Sequence, residues 1–489
     1  MKTNRVIKIF LASSEELEAD RYRFGNLIRK LDNIYEKRGI RIELFEWEDY
    51  DAAYNGLRKQ DEYNERVRAS DMFLALFHKK AGKFTIEEFN IARKAFDEQA
   101  SPKIYTYIKD LEAGESESRE LAEFKRLMLE ELGHYWCRYS NFDTMQLHFV
   151  LQLQMVEATT PIKVEVKESQ VKIGDSTIAD LNNVPFTSEN ATHRELQSRK
   201  EQLDREIGNA ESGGRRGFFG QRSRMTDEEL ANLREERESV TEQIERQEKA
   251  LVDTAMSIAR MQGGECSPRM RTAAELFEKG EIDKAGAVLK EDDMEADATN
   301  AKLKFDTAAQ PTAELTRNIE RCAGEYMLKA RIVVSGIADE SRYRQAVKLM
   351  STAIDLVSGR LPEETLAEYL FDYAVLLTDV GQQTKALETW ERLSGIYERL
   401  YRKAPQKYAY GYAGVLNNMA VLYSDKGDFD HCLSKYLKAV DIYDRLDREG
   451  PGIYDDDIAR LKNNLGTLYS DRDEYNKALS EFNEAARIR

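Results

Sequence analysis

The chain has 489 residues, too many for one hydrophobic core, and this length indicates about three domains. Its formal net charge of −16 argues against a general nucleic-acid binder, because neutralising phosphates requires a surplus of lysine and arginine. A composition of 33% charged and 41% hydrophobic residues indicates a folded, helix-rich protein and argues against a disordered chain.

The cysteines and the N-terminal residues together predict a cytoplasmic protein. Four cysteines lie far apart without a CxxC pair, so we predict neither a metal site nor a disulfide framework. Such cysteine usage fits a reducing compartment. The first apolar stretch has only about seven residues, which is too short for a signal-peptide core or for a membrane span.

Residues 1–157 alternate between short apolar runs and amphipathic helical patterns. This alternation predicts a parallel sheet covered by helices on both faces, and we expect a flavodoxin-like α/β domain. The predicted strands are 6–12, 40–47, 72–78, 103–108 and 134–139, and the predicted helices are about 14–38, 58–69, 85–98, 116–132 and 143–157.

Three predicted helix starts carry the spacing of a capping box, Ser-x-x-Glu or Thr-x-x-Glu, in which side chains satisfy the first free backbone amides. They are Ser13 with Glu16, Thr85 with Glu88, and Thr226 with Glu229 at the start of the second coiled-coil arm. Glu88 also follows a strand at the edge where parallel sheets bind ligands. The sequence therefore leaves open whether Glu88 is a helix cap, a catalytic carboxylate or both.

The middle of the chain predicts a connector in two parts. Residues 158–190 contain "IKVEV" and "QVKI", whose alternation around "KES" predicts a small β-hairpin. Residues 191–262 predict an antiparallel coiled-coil hairpin, because leucine, isoleucine and valine recur at heptad spacing in both arms. These apolar positions are Leu196, Leu203, Ile207, Leu230, Leu233, Val240, Ile244 and Leu251.

The two arms are joined by the segment "ESGGRRGFFGQRSRM", residues 211–225. Its glycines predict a flexible tip that is either a solvated loop or a docking point, in which phenylalanines supply apolar contact and arginines supply charge. If the tip is a docking point, the predicted partner-binding residues are Arg215, Arg216, Phe218, Phe219 and Arg222.

Residues 268–489 contain an internal repeat. Ala386, Cys432 and Ala478 are 46 residues apart, and each stands among small and large residues at tetratricopeptide spacing, as in "NNLGTLYSDRDEYNKALSEFNEA". The small residues let paired helices approach closely, which predicts an all-α solenoid. We expect its concave face to bind a protein or peptide.

The N-terminal part resembles a known family over roughly residues 5–110. The stretches "IKIFLASSEELEADRYRFGNLIRKL", "ELFEWED" and "VRASDMFLALFHKKAGKFTIEEFNIARKAF" resemble the Toll/interleukin-1 receptor-like (TIR-like) domains of bacterial multidomain proteins. The positions that carry the resemblance are Ser70, Asp71, Glu88 and Ala92. The Ser-x-Trp-Cys stretch usual before the glutamate is replaced here by "GKFTIEE".

The resemblance implies a bacterial defence or stress effector that hydrolyses NAD⁺ as substrate, binds no cofactor and acts after self-association into a homo-oligomer. Glu88 would be the catalytic carboxylate, with Glu87 as the near alternative. The nucleotide site would be lined by Ser13, Ser14, Arg21, Trp47 and Asp71. Two alternatives stay open at this point, a non-enzymatic scaffold that only contacts other proteins and a transferase that exchanges the base of a nucleoside or nucleotide.

Overall fold

A computed structural model describes most of the chain. The described residues are 5–37, 39–45, 59–131, 136–156, 164–174, 176–212, 226–261, 266–336, 339–449, 452 and 454–488. Those up to residue 261 form one compact unit, and those from residue 266 onward form another. The predicted division into four parts, with boundaries at 157, 190 and 262, stays a prediction.

The first unit contains a parallel five-stranded sheet in the order β2-β1-β3-β4-β5, which confirms the predicted α/β class. In the register of the sheet, Arg5 of β1 lies opposite Ile40 of β2, and Ile9 of β1 lies opposite Met72 of β3. The strands are β1 Arg5–Ser13, β2 Ile40–Phe45, β3 Met72–Phe77, β4 Lys103–Lys109 and β5 Trp136–Tyr139.

Helices cover both faces of this sheet, which explains why the central strand β3 is apolar and buried at every residue. Successive side chains of β1 point to opposite faces, so Ile9 and Phe10 belong to separate core clusters. Phe24 packs in the first cluster and Phe89 in the second. The helices are α1 Glu18–Glu36, α2 Lys59–Arg68, α3 Lys83–Gln99, α4 Arg119–Arg126 and α5 Phe142–Val156.

The connector contains the predicted β-hairpin and a strand that the sequence did not predict. Strands β6 Glu165–Lys167, β7 Gln170–Ile173 and β8 Ser176–Asp180 form an antiparallel sheet in that order. The third strand was missed because "STIAD" contains adjacent apolar residues, Ile178 and Ala179, that hide the alternation. Both are buried, and Ile178 joins the core of the α/β sheet.

A short helix, α6 Pro185–Ser188, leads into the helical hairpin formed by α7 Ala191–Ser212 and α8 Asp227–Met261. Leu203, Val240 and Ile244 form its buried seam, as the heptad spacing predicts. The predicted partner-binding residues Arg215, Arg216, Phe218, Phe219 and Arg222 lie outside the described residues.

The second unit consists of antiparallel helix pairs, which confirms the predicted helical repeat fold. Ala386, Cys432 and Ala478 are buried on α15, α17 and α19, the second helices of three successive pairs. The helices are α9 Pro268–Glu278, α10 Ile282–Val288, α11 Glu291–Thr307, α12 Ala313–Val334, α13 Glu340–Val357, α14 Glu363–Asp379, α15 Gln383–Lys403, α16 Pro405–Asp425, α17 Phe429–Glu449, α18 Asp455–Asp471 and α19 Tyr475–Ile488. Among the described residues, no helix combines the length and the apolar character that a membrane crossing requires.

Candidate functional site

The strand order reverses between β1 and β3, and the carboxyl ends of these two strands form the edge where open α/β sheets bind ligands. At this edge Glu16 joins the two strand ends. Its Oε1 accepts hydrogen bonds from the backbone N–H groups of Lys79 at 3.0 Å and Lys80 at 3.4 Å, and from Ser14 Oγ at 3.2 Å. A carboxylate of the chain itself thus binds two backbone donors that could otherwise bind a phosphate.

Arg21 lies directly behind the same turn and is only 2% exposed. Its Nη1 donates to Ser13 Oγ and to the Ser14 carbonyl oxygen, both at 2.9 Å. The structure therefore brings the predicted residues Ser13, Ser14 and Arg21 together. It uses the guanidinium to hold the β1–α1 turn in place.

The predicted capping box at Ser13 and Glu16 does not form as expected. Helix α1 begins at Glu18, after a short helical turn, and its N-cap Leu17 makes no side-chain cap. Glu16 reaches instead to the residues after β3, because these are brought beside it by the pairing of β1 with β3.

A second polar group lies at the carboxyl ends of β4 and β5. Asp20, 4% exposed, accepts hydrogen bonds at 3.0 Å from Lys109 Nζ and from the Tyr139 hydroxyl. Burial and the neighbouring Asp20 carboxylate raise the pKa of the Tyr139 phenol. This group ties α1 to the two strands.

Glu115 completes the polar edge after β4. Its Oε2 lies 3.2 Å from His78 Nε2, and its Oε1 contacts Lys79 Nζ. The hydrogen bond from Lys79 lowers the pKa of Glu115 below its ordinary value. Sequence reasoning missed Lys79, Lys109 and Glu115, although the signal existed, because residues that follow parallel strands share one edge of the sheet.

Glu88 lies one turn further into α3 than its predicted role as a cap requires. The helix begins at Lys83 with Gly82 as its N-cap, so Thr85 is already helical and the predicted capping box with Glu88 is wrong. Gly82 takes an extended conformation, and its carbonyl accepts from the Ile86 N–H at 3.0 Å. Glu88 is 8% exposed, on the side of α3 that also buries Phe89.

Glu87, the alternative to Glu88, accepts a hydrogen bond at 3.3 Å from Asn64 Nδ2 on α2. It thus joins α3 to α2, whereas Glu88 is directed to the buried side of its helix. Trp47, the predicted base-stacking residue, lies outside the described residues.

Asp71 is not brought to this edge. It immediately precedes β3, and its Oδ2 accepts a hydrogen bond at 2.8 Å from the Lys8 backbone N–H. A six-residue strand separates it from the residues after Phe77, a distance of roughly 20 Å. Asp71 was assigned to the nucleotide site only through the family resemblance. In the structure it lies at the amino-terminal end of β3, at the opposite end of the strands from this site.

Comparisons with known proteins assign no family. No family model matches the chain, and no curated protein matches it. Among solved structures, BtubC (BKLC) from P. vanneervenii is 16% identical with a TM-score of 0.32, covering 60% of this chain and 90% of its own. A signal transduction ATPase with numerous domains and a tetratricopeptide repeat sensor, from Pyrococcus horikoshii, is 10% identical with a TM-score of 0.23, covering 99% of this chain and 90% of its own. At these scores the two similarities assign neither a fold nor an activity to this protein.

Proposed function

We propose that the N-terminal α/β unit hydrolyses NAD⁺ by cleaving its N-glycosidic bond to nicotinamide, with Glu88 as the catalytic carboxylate. The observation that carries the proposal is the position of Glu88. It is a carboxylate inside a helix, without the capping role that its spacing predicted, and it is almost buried beside a sheet of flavodoxin-like order.

The chemistry requires a carboxylate of this kind. Breaking an N-glycosidic bond passes through an oxocarbenium-like state, and a nearby negative charge stabilises the positive charge that develops on the sugar. The effect is larger where water is excluded, because the local dielectric constant is lower. Glu88 would act on the ribose, either as nucleophile or by orienting a water molecule.

The helical repeats supply the second half of the proposal. Stacked helix pairs expose an extended surface suited to a protein or peptide ligand. We propose that such a ligand, or self-assembly, controls the N-terminal unit, and that the whole protein serves as a bacterial defence or stress effector. The resemblance to TIR-like domains supports this role.

The test compares the wild type with Glu88→Gln and with Glu87→Gln as the matched control. Both variants remove one negative charge from the same helix, and Glu87 contacts Asn64 on α2. The measurement is cellular NAD⁺ with and without phage infection, together with nicotinamide release by the purified full chain. We expect Glu88→Gln to abolish NAD⁺ loss and Glu87→Gln to retain it.

Loss of NAD⁺ that persists in Glu88→Gln would remove Glu88 from the catalytic role. Incorporation of labelled nicotinamide into NAD⁺, without net loss, would favour the base-transferase over the hydrolase. If both variants are folded and lose activity equally, the activity depends on the total negative charge of α3. It would then not depend on the position of the Glu88 carboxylate.

A second candidate function, a non-enzymatic scaffold, is favoured by a different observation. Arg21 and Ser13 are engaged with each other, and Glu16 binds the amides of Lys79 and Lys80. These contacts within the chain hold the carboxyl ends of β1 and β3 together. On this hypothesis NAD⁺ stays constant in every variant, and the protein acts only by contacting partners.

A further inference from the structure

The helix α19 carries a continuous apolar stripe that is exposed. Tyr475, Leu479 and Phe482 are 64%, 60% and 38% exposed, and the exposed Ala486 follows them. Steps of four, three and four residues place all four side chains on one face of a helix. Single exposed apolar residues are ordinary, whereas several in a line form a surface of the kind that proteins use for association.

The preceding repeats show what this face of the helix normally contacts. Phe482 corresponds, at intervals of 46 residues, to Tyr436 and Trp390, which are 3% and 1% exposed. Tyr475 corresponds to Phe429, whose ring lies 6.0 Å from the Arg472 guanidinium. Within the array, therefore, the first helix of the next pair and the turn after it cover this face. The stripe on α19 continues an interface that the chain already uses between its own repeats.

Three charged residues of α19, Lys477, Glu481 and Glu484, lie away from the stripe and are paired within the chain. Lys477 Nζ lies 2.6 Å from Glu474 Oε2, and Lys462 Nζ lies 3.0 Å from Glu481 and 2.7 Å from Glu484. The polar residues beside the stripe, Asn476 and Asn483, are neutral. The Tyr475 hydroxyl donates to Asp473 at one end of the stripe, so an antiparallel approach of two stripes keeps the two Asp473 carboxylates apart and limits like-charge repulsion.

We propose that this stripe is an isologous interface through which two copies of the chain associate, with α19 packed antiparallel on α19 of the second copy. A two-fold axis near the middle of the stripe places Leu479 against Phe482 of the partner and Tyr475 against Ala486 of the partner. One surface thus serves both sides, as a two-fold dimer requires. The inference is independent of the activity proposed for the N-terminal unit.

The test measures the mass of the purified full chain by light scattering over a range of concentrations. We expect the wild type to form a dimer and Leu479→Lys to be a monomer, with a dissociation constant raised by at least about tenfold. The matched control is Leu437→Lys, since Leu437 is 50% exposed on α17 but lies outside the stripe. It should remain dimeric. Tyr475→Lys gives a second variant on the stripe, and circular dichroism verifies that each variant is folded.

A charge-reversed pair makes the test specific for the two-fold arrangement. Leu479→Lys and Phe482→Glu should each be monomeric alone and should form a mixed dimer when combined, because position 479 of one copy and position 482 of the other then carry opposite charges and face each other. A wild type that remains monomeric throughout the range overturns the proposal. So does a folded Leu479→Lys variant that dimerises as the wild type does, because the interface would then lie elsewhere.

Discussion

His193 Nε2 lies 3.0 Å from Glu248 Oε1, and the two side chains are 3% and 0% exposed. The same carboxylate oxygen accepts a 2.6 Å hydrogen bond from Ser169 Oγ, at the turn between β6 and β7. Both residues of that turn, Glu168 and Ser169, have positive φ, as a tight two-residue hairpin turn requires. One buried glutamate thus fastens the small antiparallel sheet to both helices of the hairpin.

The first prediction concerns this buried contact. Glu248→Ala should reduce the local free energy of unfolding by about 1–3 kcal/mol for each lost hydrogen bond, because it leaves the buried His193 and the partly buried Ser169 without their acceptor. The measurement is amide hydrogen exchange in peptides from β7, α7 and α8 of the full chain. Glu236→Ala is the matched control, since Glu236 pairs with Arg199 on the exposed surface of the same helices. It should leave exchange almost unchanged, and equal effects of the two substitutions would contradict the prediction.

The second prediction separates Asp71 from the proposed catalytic chemistry. Asp71→Ala should cost about 1–3 kcal/mol of stability, because the Lys8 N–H then loses its acceptor at the edge of the sheet. Asp71→Asn keeps an acceptor oxygen and should cost less. Neither variant should change NAD⁺ turnover per folded molecule. A loss of turnover in folded Asp71→Asn would return this residue to the nucleotide site.

The third prediction concerns the close packing of α18 on α19. A Cβ at Gly466 would lie 2.6 Å from the Phe482 ring, so Gly466→Ala should destabilise the last repeat by about 1–3 kcal/mol through overpacking. Gly414→Ala is the matched control on α16, where an added Cβ meets nothing within 4 Å. It should stabilise that helix by about 0.5–1 kcal/mol, because alanine restricts the unfolded chain more than glycine. Hydrogen exchange in α16 and α18 reports both effects.

Phe482→Leu supplies the second half of that test. In the Gly466→Ala background the smaller side chain relieves the contact and should recover part of the lost stability. A Gly466→Ala protein as stable as the wild type would show that the ring moves aside without cost.

Sequence periodicity predicted the classes and order of the elements well, because burial on one or both faces dictates the spacing of apolar residues. The runs at 72–78 and 103–108 became the strands β3 and β4, and the repeat around Ala386, Cys432 and Ala478 became stacked helix pairs. Local spacing predicted less well where helices begin. The boxes at Ser13 and Thr85 matched a common pattern, yet α1 begins at Glu18 and α3 at Lys83. The third predicted box is confirmed, because Thr226 and Glu229 exchange side-chain and backbone hydrogen bonds at the start of α8.

The sequence by itself determined the parallel sheet, the helical hairpin and the repeat array, since these follow from short-range patterns of apolar and small residues. Only the tertiary structure decided which polar groups meet. It brought Glu16 to the amides of Lys79 and Lys80, 63 and 64 positions away, and it left Asp71 at the far edge of the sheet. The physical reason is that strand order and register determine which chain ends lie together, and these depend on the packing of the whole unit rather than on any local pattern.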